Sequence, residues 1–449
     1  MDKNCHKPLN LRLTYLIFGN NRIKVKMKEE FLHYLWKYQL LNISTLKTTQ
    51  NYLLSIVSPG IYNYDSGPDF LNAKIRIKQQ LWAGNIEIHL KSSDWYCHQH
   101  EINENYDAVI LHVVWEDDVE VFMKNNFPIP TLELKEFVAE GIIDNYKKLT
   151  MNRVQNIPCE QQFMSVNPFL IRNWLERLYL NRLERKSIFI KNLLFRNQND
   201  WDAVLFLLLA KNFGLNKNGD VFFRLATSIP FSMVRKLTHD SLQLNALLFG
   251  QAGFLEEDNT HDYVIQLKKE YSYLKMKFAL KPIHKRQFIF FRMRHANFPT
   301  LRLAQFVALY TKRVHFFVEV MKAKSAEDIY QLFCINVNDF WKNHYTFSKE
   351  SKKSHKKLTK TFVDLITINT VIPLMFCFQQ SMHQLDVEKL IAFLESINPE
   401  KNSAISVYGN LGFKIENAFQ SQALLELKTK YCMRKRCLEC VIGNEILKR

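Results

Sequence analysis

The hydrophobic periodicity of the 449-residue chain changes once, near residue 160, and this change limits the folds that the sequence can adopt. Before that point, short segments alternate apolar and polar residues, which is the period of a strand with one buried face. After it, apolar residues recur every three to four positions through long stretches, as they do in amphipathic helices. Helices are predicted there over residues 201–213, 262–278, 302–322 and 326–344, among others. The sequence therefore predicts an α/β domain followed by a larger all-α domain.

Three parts of the chain are predicted. Residues 1–26 form a basic N-terminal extension outside the fold, and Met27 is a candidate start because a helix signal follows it directly. Residues 27–150 form an α/β domain with a mixed sheet, and residues 151–449 form a basic helical domain that ends in a cysteine cluster. More than one domain is expected, since single cores rarely grow beyond about 300 residues.

The α/β domain is predicted to contain a helix, a loop, a hairpin and a buried strand, in that order. Residues 28–41 have helical spacing, and residues 58–70 are rich in Gly, Pro, Asn and Asp, as loops that present functional groups are. Residues 73–77 and 81–91 alternate in polarity and form the hairpin, while the apolar, β-branched residues 109–115 are typical of a central strand.

Charge and composition restrict the class of protein. Lys and Arg outnumber Asp and Glu by 61 to 44, and a net charge of +17 attracts polyanions such as nucleic acid, although it also serves solubility. The longest apolar run, residues 366–378, is interrupted by polar residues and is shorter than the roughly 20 residues that a bilayer requires. No secretory signal is apparent. We therefore expect a cytoplasmic protein with nucleic acid as its partner and no membrane contact.

Residues that can carry chemistry concentrate in and after the predicted hairpin. Glu87, His89 and Lys91 alternate on one face of its second strand, and the hairpin can bring Asp69 beside them. Converging carboxylates bind Mg²⁺ or Mn²⁺, and a neighbouring histidine or lysine can orient or deprotonate a water molecule. Further site candidates are Asp94, His98, His100 and His112.

Two other interpretations of these residues remain open. The charged side chains could form the solvated face of a half-buried strand. Alternatively, His98 and His100 could bind zinc, in a structural site or in a hydrolase of another class.

A second candidate metal site lies near the C-terminus. Cys432, Cys437 and Cys440 fall within nine residues, and Cys159 at the predicted domain junction is the candidate fourth ligand. Eight cysteines in so long a chain do not indicate a disulfide framework, so clustered cysteines become metal-ligand candidates. Four thiolates suit Zn²⁺ or a [4Fe–4S] cluster, and the alternative is a set of unliganded thiols on a basic helix.

The helical domain offers candidates for contact with a nucleic-acid backbone. Four basic residues recur on successive turns of the helix predicted over residues 167–194, and side chains of this kind bind phosphates. They are Arg177, Arg182, Arg185 and Lys186.

The order of acidic residues resembles the PD-(D/E)xK nuclease superfamily. Those enzymes place an Asp on one hairpin strand and an acidic-x-Lys pair on the next, after a helix that often contributes a Glu. The resemblance implies a restriction-endonuclease-like core with Asp69, Glu87 and His89 in the site, and with Glu30, or its neighbour Glu29, as the helical acid. His89 stands where the family has Lys, and the nearby Lys91 is the candidate replacement.

Segments from Met27 onward also resemble an uncharacterised bacterial family, domain of unknown function 2851. This resemblance implies no known activity. The expected function, a metal-dependent nuclease or else a non-catalytic nucleic-acid-binding or scaffold protein with a structural zinc, therefore depends on the site residues. The segments that carry the resemblance are residues 67–70, 84–89, 93–95, 98–100, 109–114, 248–253, 297–300 and 431–443.

Overall fold

The computed structural model describes residues 14–15, 26–151, 157–311 and 313–449. Its internal contacts divide the chain into an N-terminal unit, Met1–Trp174 with Lys428–Arg449, and a helical unit, Leu175–Leu427. The C-terminal segment is thus grouped with the N-terminal unit, whereas the sequence predicts a boundary at residue 150. Apart from Thr14–Tyr15 and Lys26, the predicted extension over residues 1–26 lies outside the described residues.

The mixed sheet that the sequence predicts forms the centre of the N-terminal unit and has six strands. They are β3 (Leu54–Ser58), β4 (Ile61–Tyr62), β5 (Phe70–Ile77), β6 (Gln80–Lys91), β7 (Val109–Glu116) and β8 (Thr131–Glu133). Their order is β3-β5-β6-β7-β8, with β4 also paired to β5. The hairpin of β5 and β6 is antiparallel, while β7 and β8 continue the sheet in parallel. A separate pair, β1 (Thr14–Tyr15) and β2 (Lys26–Met27), is antiparallel.

The first helix, α1 (Glu29–Lys37), packs on β6 through its apolar face. Phe31, Leu35 and Trp36 are fully buried, and the indole nitrogen of Trp36 donates a hydrogen bond of 3.0 Å to the carbonyl oxygen of Pro59. Helical residues three and four apart share a face. The packing of α1 therefore fixes the residues of its first turn close to the beginning of β5.

Helices make up most of the remaining described chain, and several agree closely with the predicted spans. The predicted helices over residues 302–322 and 326–344 are each divided into two. Besides α1, the helices of the N-terminal unit are α2 (Asp94–Cys97), α3 (Ile142–Met151) and α19 (Val441–Leu447), and α4 (Pro168–Arg196) begins there. The helical unit continues with α5 (Trp201–Phe213), α6 (Leu215–Thr227), α7 (Phe231–Leu237), α8 (Ser241–Gln251), α9 (Asp262–Phe278), α10 (Pro299–Tyr310), α11 (Phe316–Lys322), α12 (Ala326–Leu332), α13 (Asp339–Asn343), α14 (Lys360–Ile366), α15 (Ile372–Ser381), α16 (Val387–Glu395), α17 (Ser403–Asn410) and α18 (Ala418–Leu427).

One apolar helical stretch, Lys360–Ser381, consists of α14, a π-helical segment Thr367–Val371, and α15. By length and composition alone it could cross a membrane, but 78% of its most apolar window is buried inside the protein. Burial of this extent is what the core helix of a globular unit shows.

Candidate functional site

Asp69 and Glu87 lie side by side because of the register of the β5–β6 hairpin, in which Phe70 pairs with Ile86. The Oδ2 atom of Asp69 accepts a hydrogen bond of 2.9 Å from the backbone N–H of Ile88. In return, the backbone N–H of Asp69 donates a bond of 3.2 Å to Oε2 of Glu87. The predicted approach of these two carboxylates is therefore present, and backbone groups hold both in position.

Helix α1 adds one acid and one histidine to this pair. The Nε2 atom of His33 lies 3.2 Å from Oδ2 of Asp69 and 3.7 Å from Oε1 of Glu29. Its Nδ1 atom is 3.4 Å from the hydroxyl of Tyr62. One ligand atom each from Glu29, His33 and Asp69 lie within 4.8 Å of one another, a spacing compatible with a shared metal ion.

Glu30, the helical acid predicted together with Glu29, lies outside this group. Its carboxylate is 4.0 Å from the ammonium of Lys28, and 58% of its side chain is exposed. Of the two neighbouring acids, Glu29 is the one on the face of α1 that meets Asp69, because His33 on the same face lies one helical turn further on. His33 was not among the predicted site residues, although the spacing Glu29-x-x-x-His33 on a predicted helix is a signal for such a pair.

Three histidines meet on the other side of Glu87. Its Oε1 atom is 3.5 Å from Nε2 of His89 and 3.3 Å from Nε2 of His100. The Nδ1 atom of His98 is 3.1 Å from Nε2 of His89, and one ring nitrogen each from His89, His98 and His100 lie within 4.8 Å of one another. His89 and His100 are buried while His98 is exposed, so the histidine group reaches the surface at His98.

His112 supports this group from the neighbouring strand. In the parallel pairing of β6 and β7 it stands opposite Glu87, and its Nε2 atom is 2.8 Å from Nδ1 of His89. The ring of Tyr106 stacks on His100 at 3.7 Å, and Trp95 makes edge contacts with His100. Aromatic rings on two sides of His100 thus shield it from water and restrict its orientation.

Burial makes the carboxylates of this site difficult to ionise. It raises the pKa of Glu87 to about 9, with a further contribution from the charge of Asp69. Burial also raises the pKa of Glu29 to about 8, against an opposing effect of His33. Burial alone would lower the pKa of His33, but Asp69 and Glu29 outweigh it and the pKa of His33 is raised. Without an added cation, both glutamates therefore carry protons at neutral pH.

Burial has the opposite effect on the histidines. It lowers the pKa of His100 to about 4 and that of His112 to about 3. The pKa of His89 falls well below its usual value because of burial and then because of the neighbouring His112 and His98. These imidazoles are neutral at pH 7, which is the state in which histidine binds metals or accepts a proton.

Lys91 and Asp94, two further predicted site residues, are engaged beside the cluster. The Lys91 ammonium lies 3.4 Å from Asp118 and 3.5 Å from Glu116. Burial opposes the charge of Lys91, but these two acids outweigh it and raise the pKa of Lys91, so this lysine remains protonated. Asp94 is buried and accepts a hydrogen bond of 3.2 Å from the backbone N–H of Lys91. Lys91 therefore has its own acidic partners and is not placed to act as a base.

The four cysteines predicted as metal ligands all belong to the N-terminal unit. Cys159, Cys432 and Cys440 are buried, and Cys437 is half-buried. Burial, followed by the proximity of the other three thiols, raises the pKa of Cys159, and burial with Cys432 and Cys440 raises that of Cys437 to about 12. A Cβ at Gly443 in α19 would lie 2.2 Å from the carbonyl oxygen of Cys437, so glycine permits the close approach of this helix to the cysteine segment.

The basic residues predicted to hold nucleic acid are mostly engaged within the helical unit. Arg185 forms two hydrogen bonds of 2.8 Å with the carboxylate of Glu426, and Arg182 lies 3.6 Å from the same carboxylate. Lys186 donates a bond of 3.1 Å to the side-chain oxygen of Asn369. Of the four residues, Arg177 and Arg185 are exposed on α4, and the guanidinium of Arg185 is bonded to Glu426. Arg182, Arg185 and Lys186 therefore all have partners within the helical unit.

Comparison with known proteins identifies a family and no activity. No curated protein and no solved structure matches the chain. A family described as "Protein of unknown function (DUF2851)" matches residues 29–403. The match includes every residue of the cluster from Glu29 to His112 and ends before Cys432. Since it spans most of the sequence, the chain belongs to the DUF2851 family.

Proposed function

We propose that this chain is a metal-dependent nuclease of the PD-(D/E)xK type, with a restriction-endonuclease-like core, that cleaves DNA or RNA in the cytoplasm. One observation carries the proposal. Glu29, Asp69 and Glu87 converge beneath a group of neutral histidines, and among the described residues the basic side chain that balances their charge is His33. A buried acidic group with so little positive charge of its own is typical of a site that binds a cation.

The order of the elements supports the nuclease type. A helix carrying Glu29 comes first, Asp69 stands at the start of one hairpin strand, and Glu87-x-His89 lies on the next. This is the arrangement that the superfamily resemblance implies. His89 occupies the position of the family's lysine, and Lys91 does not replace it because Glu116 and Asp118 hold its ammonium. The proposed enzyme therefore has a histidine at the position where PD-(D/E)xK nucleases have a lysine.

Glu29, His33 and Asp69 bring one ligand atom each within 4.8 Å of one another, which fits Mg²⁺ or Mn²⁺. Glu87, which accepts a hydrogen bond from the backbone N–H of Asp69, would be the further carboxylate of the proposed site. Hard divalent cations prefer carboxylate oxygens, and the two glutamates become anionic ligands when a cation displaces their protons. A cation held there would stabilise the negative charge that develops on the scissile phosphate.

The histidines would handle the proton of the attacking water. His89 is neutral, and its Nδ1 atom is fixed by the 2.8 Å contact with His112. In the tautomer of His89 that has the proton on Nδ1, the Nδ1–H group donates a hydrogen bond to Nε2 of His112. The lone pair of Nε2 of His89 then faces Glu87 and His98 and can accept a proton. His98, being exposed, is placed to pass that proton to solvent.

Cleavage assays with isosteric variants test the proposal. Full-length protein is incubated with labelled single- and double-stranded DNA and RNA in Mn²⁺, Mg²⁺ or EDTA. We expect cation-dependent cleavage that Glu87→Gln and Asp69→Asn reduce by about 10³-fold, the scale on which one charge-stabilising group acts. The matched control is Glu30→Gln, which alters an exposed neighbour of Glu29 and should leave the rate unchanged. Cleavage that survives in Glu87→Gln and Asp69→Asn would refute the assignment.

One alternative has a specific observation in its favour. His89, His98 and His100 bring three ring nitrogens within 4.8 Å, a ligand set suited to zinc, so the chain could be a non-catalytic nucleic-acid-binding or scaffold protein with a structural zinc. Structural zinc sites usually have four protein ligands, whereas three ligands with an open position are the pattern of catalytic zinc. The alternative predicts one tightly bound zinc and salt-sensitive binding of nucleic acid without turnover.

The four cysteines are proposed to hold a second metal centre, Zn²⁺ or a [4Fe–4S] cluster. Three buried thiols and one half-buried thiol from distant parts of the sequence interact with one another within one unit. The test is the metal content and the absorption spectrum of anaerobically purified protein. We expect about one zinc or about four irons per chain. Cys432→Ala/Cys437→Ala should lose that metal while Cys334→Ala, an exposed cysteine, keeps it. Wild-type protein with neither metal would refute this centre.

A further inference from the structure

The helical unit contains a cavity of about 820 Å³ that the proposed nuclease site does not use. Cavities of about 300–1,000 Å³ are typical of sites for small molecules and cofactors. The cavity lies at the turn between α5 and α6, next to α4, to the loop residues 292–297 and to the π-helical segment Thr367–Val371. All of its lining residues belong to the helical unit.

Positive charge dominates the lining of this cavity. Two carboxylates, those of Asp220 and Glu400, face five basic side chains. A surplus of this kind in a concave site attracts anions. The five basic residues are Arg182, Lys211, Lys217, Arg292 and Arg294.

The contacts of the basic residues that line the cavity show which positive charges have no acidic partner there. Lys211 is 3.7 Å from Asp220, and Lys217 donates to the carbonyl oxygens of Phe291 and Arg292. Within the described parts of the chain, no carboxylate forms an ion pair with Arg292 or Arg294. Two guanidinium groups thus line the cavity with their charge available for a ligand.

The backbone of the cavity is unusual at three places. Leu215 and Arg292 both have a backbone φ of 55°. This value lies in the left-handed region, which residues other than Gly and Asn rarely adopt. Asn369 belongs to the π-helical segment, and such segments occur frequently at functional sites. Left-handed backbone at a residue with a bulky side chain is strained, so the surrounding packing maintains the conformation of Leu215 and Arg292.

We propose that this cavity binds a phosphate monoester carried on a nucleoside, either a free nucleotide or the phosphorylated end of a nucleic-acid strand. Arg292 and Arg294 would bind the phosphate, since guanidinium groups match its oxygens in geometry and charge. The apolar parts of Met293, Leu365 and Leu425 offer a surface for the base. This inference goes beyond the cleavage reaction, because binding in the cavity does not require the metal site.

The experiment measures binding in EDTA, so that cleavage by the metal site cannot interfere. Full-length protein is titrated against two fluorescent single-stranded oligonucleotides that differ only in a 5′-phosphate or a 5′-hydroxyl. We expect the phosphorylated strand, AMP, or both to bind. The variant Arg292→Ser/Arg294→Ser should weaken binding by roughly 100-fold, about tenfold for each charge-assisted contact. The matched control, Lys349→Ser/Lys352→Ser, removes the same charge from an exposed loop and should change binding less than about twofold.

The outcomes separate the two sources of phosphate. Preference for the 5′-phosphate without competition from AMP identifies the end of a strand, and competition by AMP identifies a free nucleotide. The inference is overturned if neither AMP nor the 5′-phosphate binds above the 5′-hydroxyl strand. It is overturned equally if both double variants lose the same affinity. Glu87→Gln should bind as the wild type does, so failure of the cavity and failure of the nuclease site remain distinguishable.

Discussion

Two buried glutamates in this molecule, Glu426 and Glu87, differ in the groups that compensate the cost of burying a carboxylate. In the helical unit the side chain of Glu426 is 3% exposed, and Arg185 and Arg182 supply the positive charge that burial requires. In the N-terminal unit Glu87 is 6% exposed, but the side chains that face its carboxylate are histidines, two of which burial keeps neutral. The first carboxylate has its counterions within the chain, whereas the second has to take up a proton or an external cation.

The comparison shows how a structural ion pair differs from a candidate metal site. Both contain buried carboxylates with several polar neighbours, and burial alone does not separate them. The difference is the balance of charge. Acids that are paired with arginines have their charge neutralised within the chain. Acids that are surrounded by neutral imidazoles can instead serve as ligands for a metal ion.

The largest expected effect of this difference is on stability. Glu426→Ala removes the partner of two arginines and should lower the apparent free energy of unfolding by about 3 kcal/mol. Glu87→Gln should change it by less than about 0.5 kcal/mol in EDTA at pH 7, because glutamine mimics the protonated acid present there. Glu184→Ala, an exposed position on the same helix as Arg185, is the control for Glu426. Urea unfolding of the variants makes the measurement, and equal losses in Glu426→Ala and Glu87→Gln would remove the distinction.

Added metal should stabilise only the N-terminal site. Mn²⁺ at a hundredfold excess over its dissociation constant should stabilise the native state by about 2.7 kcal/mol. Thermal unfolding of wild type and Glu30→Gln should therefore shift upward with Mn²⁺, while Asp69→Asn should not respond. A shift of equal size in Asp69→Asn would place the cation elsewhere.

In the helical unit, the buried Lys186 should make the free energy of unfolding depend on pH. Burial, and then Arg182 and Arg185, lower the pKa of Lys186 to about 7. Between pH 7 and about 10.5 the unfolded state holds this proton and the native state does not, so stability rises with pH across that window. Lys186→Met should remove a slope on the order of 1 kcal/mol per pH unit, measured by urea unfolding at pH 7, 8 and 9. A variant that keeps the wild-type slope would show that Lys186 is charged in the fold.

Much of the fold could be predicted from periodicity alone. The β5–β6 hairpin and the buried strand β7 follow from alternation and from a continuous apolar run, and α5 and α9 agree with the predicted helices residue for residue. The small strands β4 and β8 were not predicted, because two or three residues carry no measurable period. The grouping of Lys428–Arg449 with the sheet could not be predicted either, since it depends on contacts between residues far apart in the sequence.

The site was predictable in its hairpin and not in its surroundings. The pairing of Asp69 with Glu87, and the position of His89 on the same face, follow from strand geometry. The partners of Lys91 could not be foreseen, because Glu116 and Asp118 reach it only through the parallel pairing of β6 with β7. His33 enters through the docking of α1 on the sheet, an interaction between elements that local sequence does not specify.

Calorimetric titration of metal-free protein with Mn²⁺ at pH 7, repeated in buffers of different ionisation enthalpy, tests the central claim most directly. The pKa values of Glu29, about 8, and Glu87, about 9, mean that both are protonated before the cation binds. Binding should therefore release about two protons per site, and Glu87→Gln should both weaken binding and reduce this release to about one. Absence of binding in the wild type, or binding that neither releases protons nor changes in Glu87→Gln, would contradict the account.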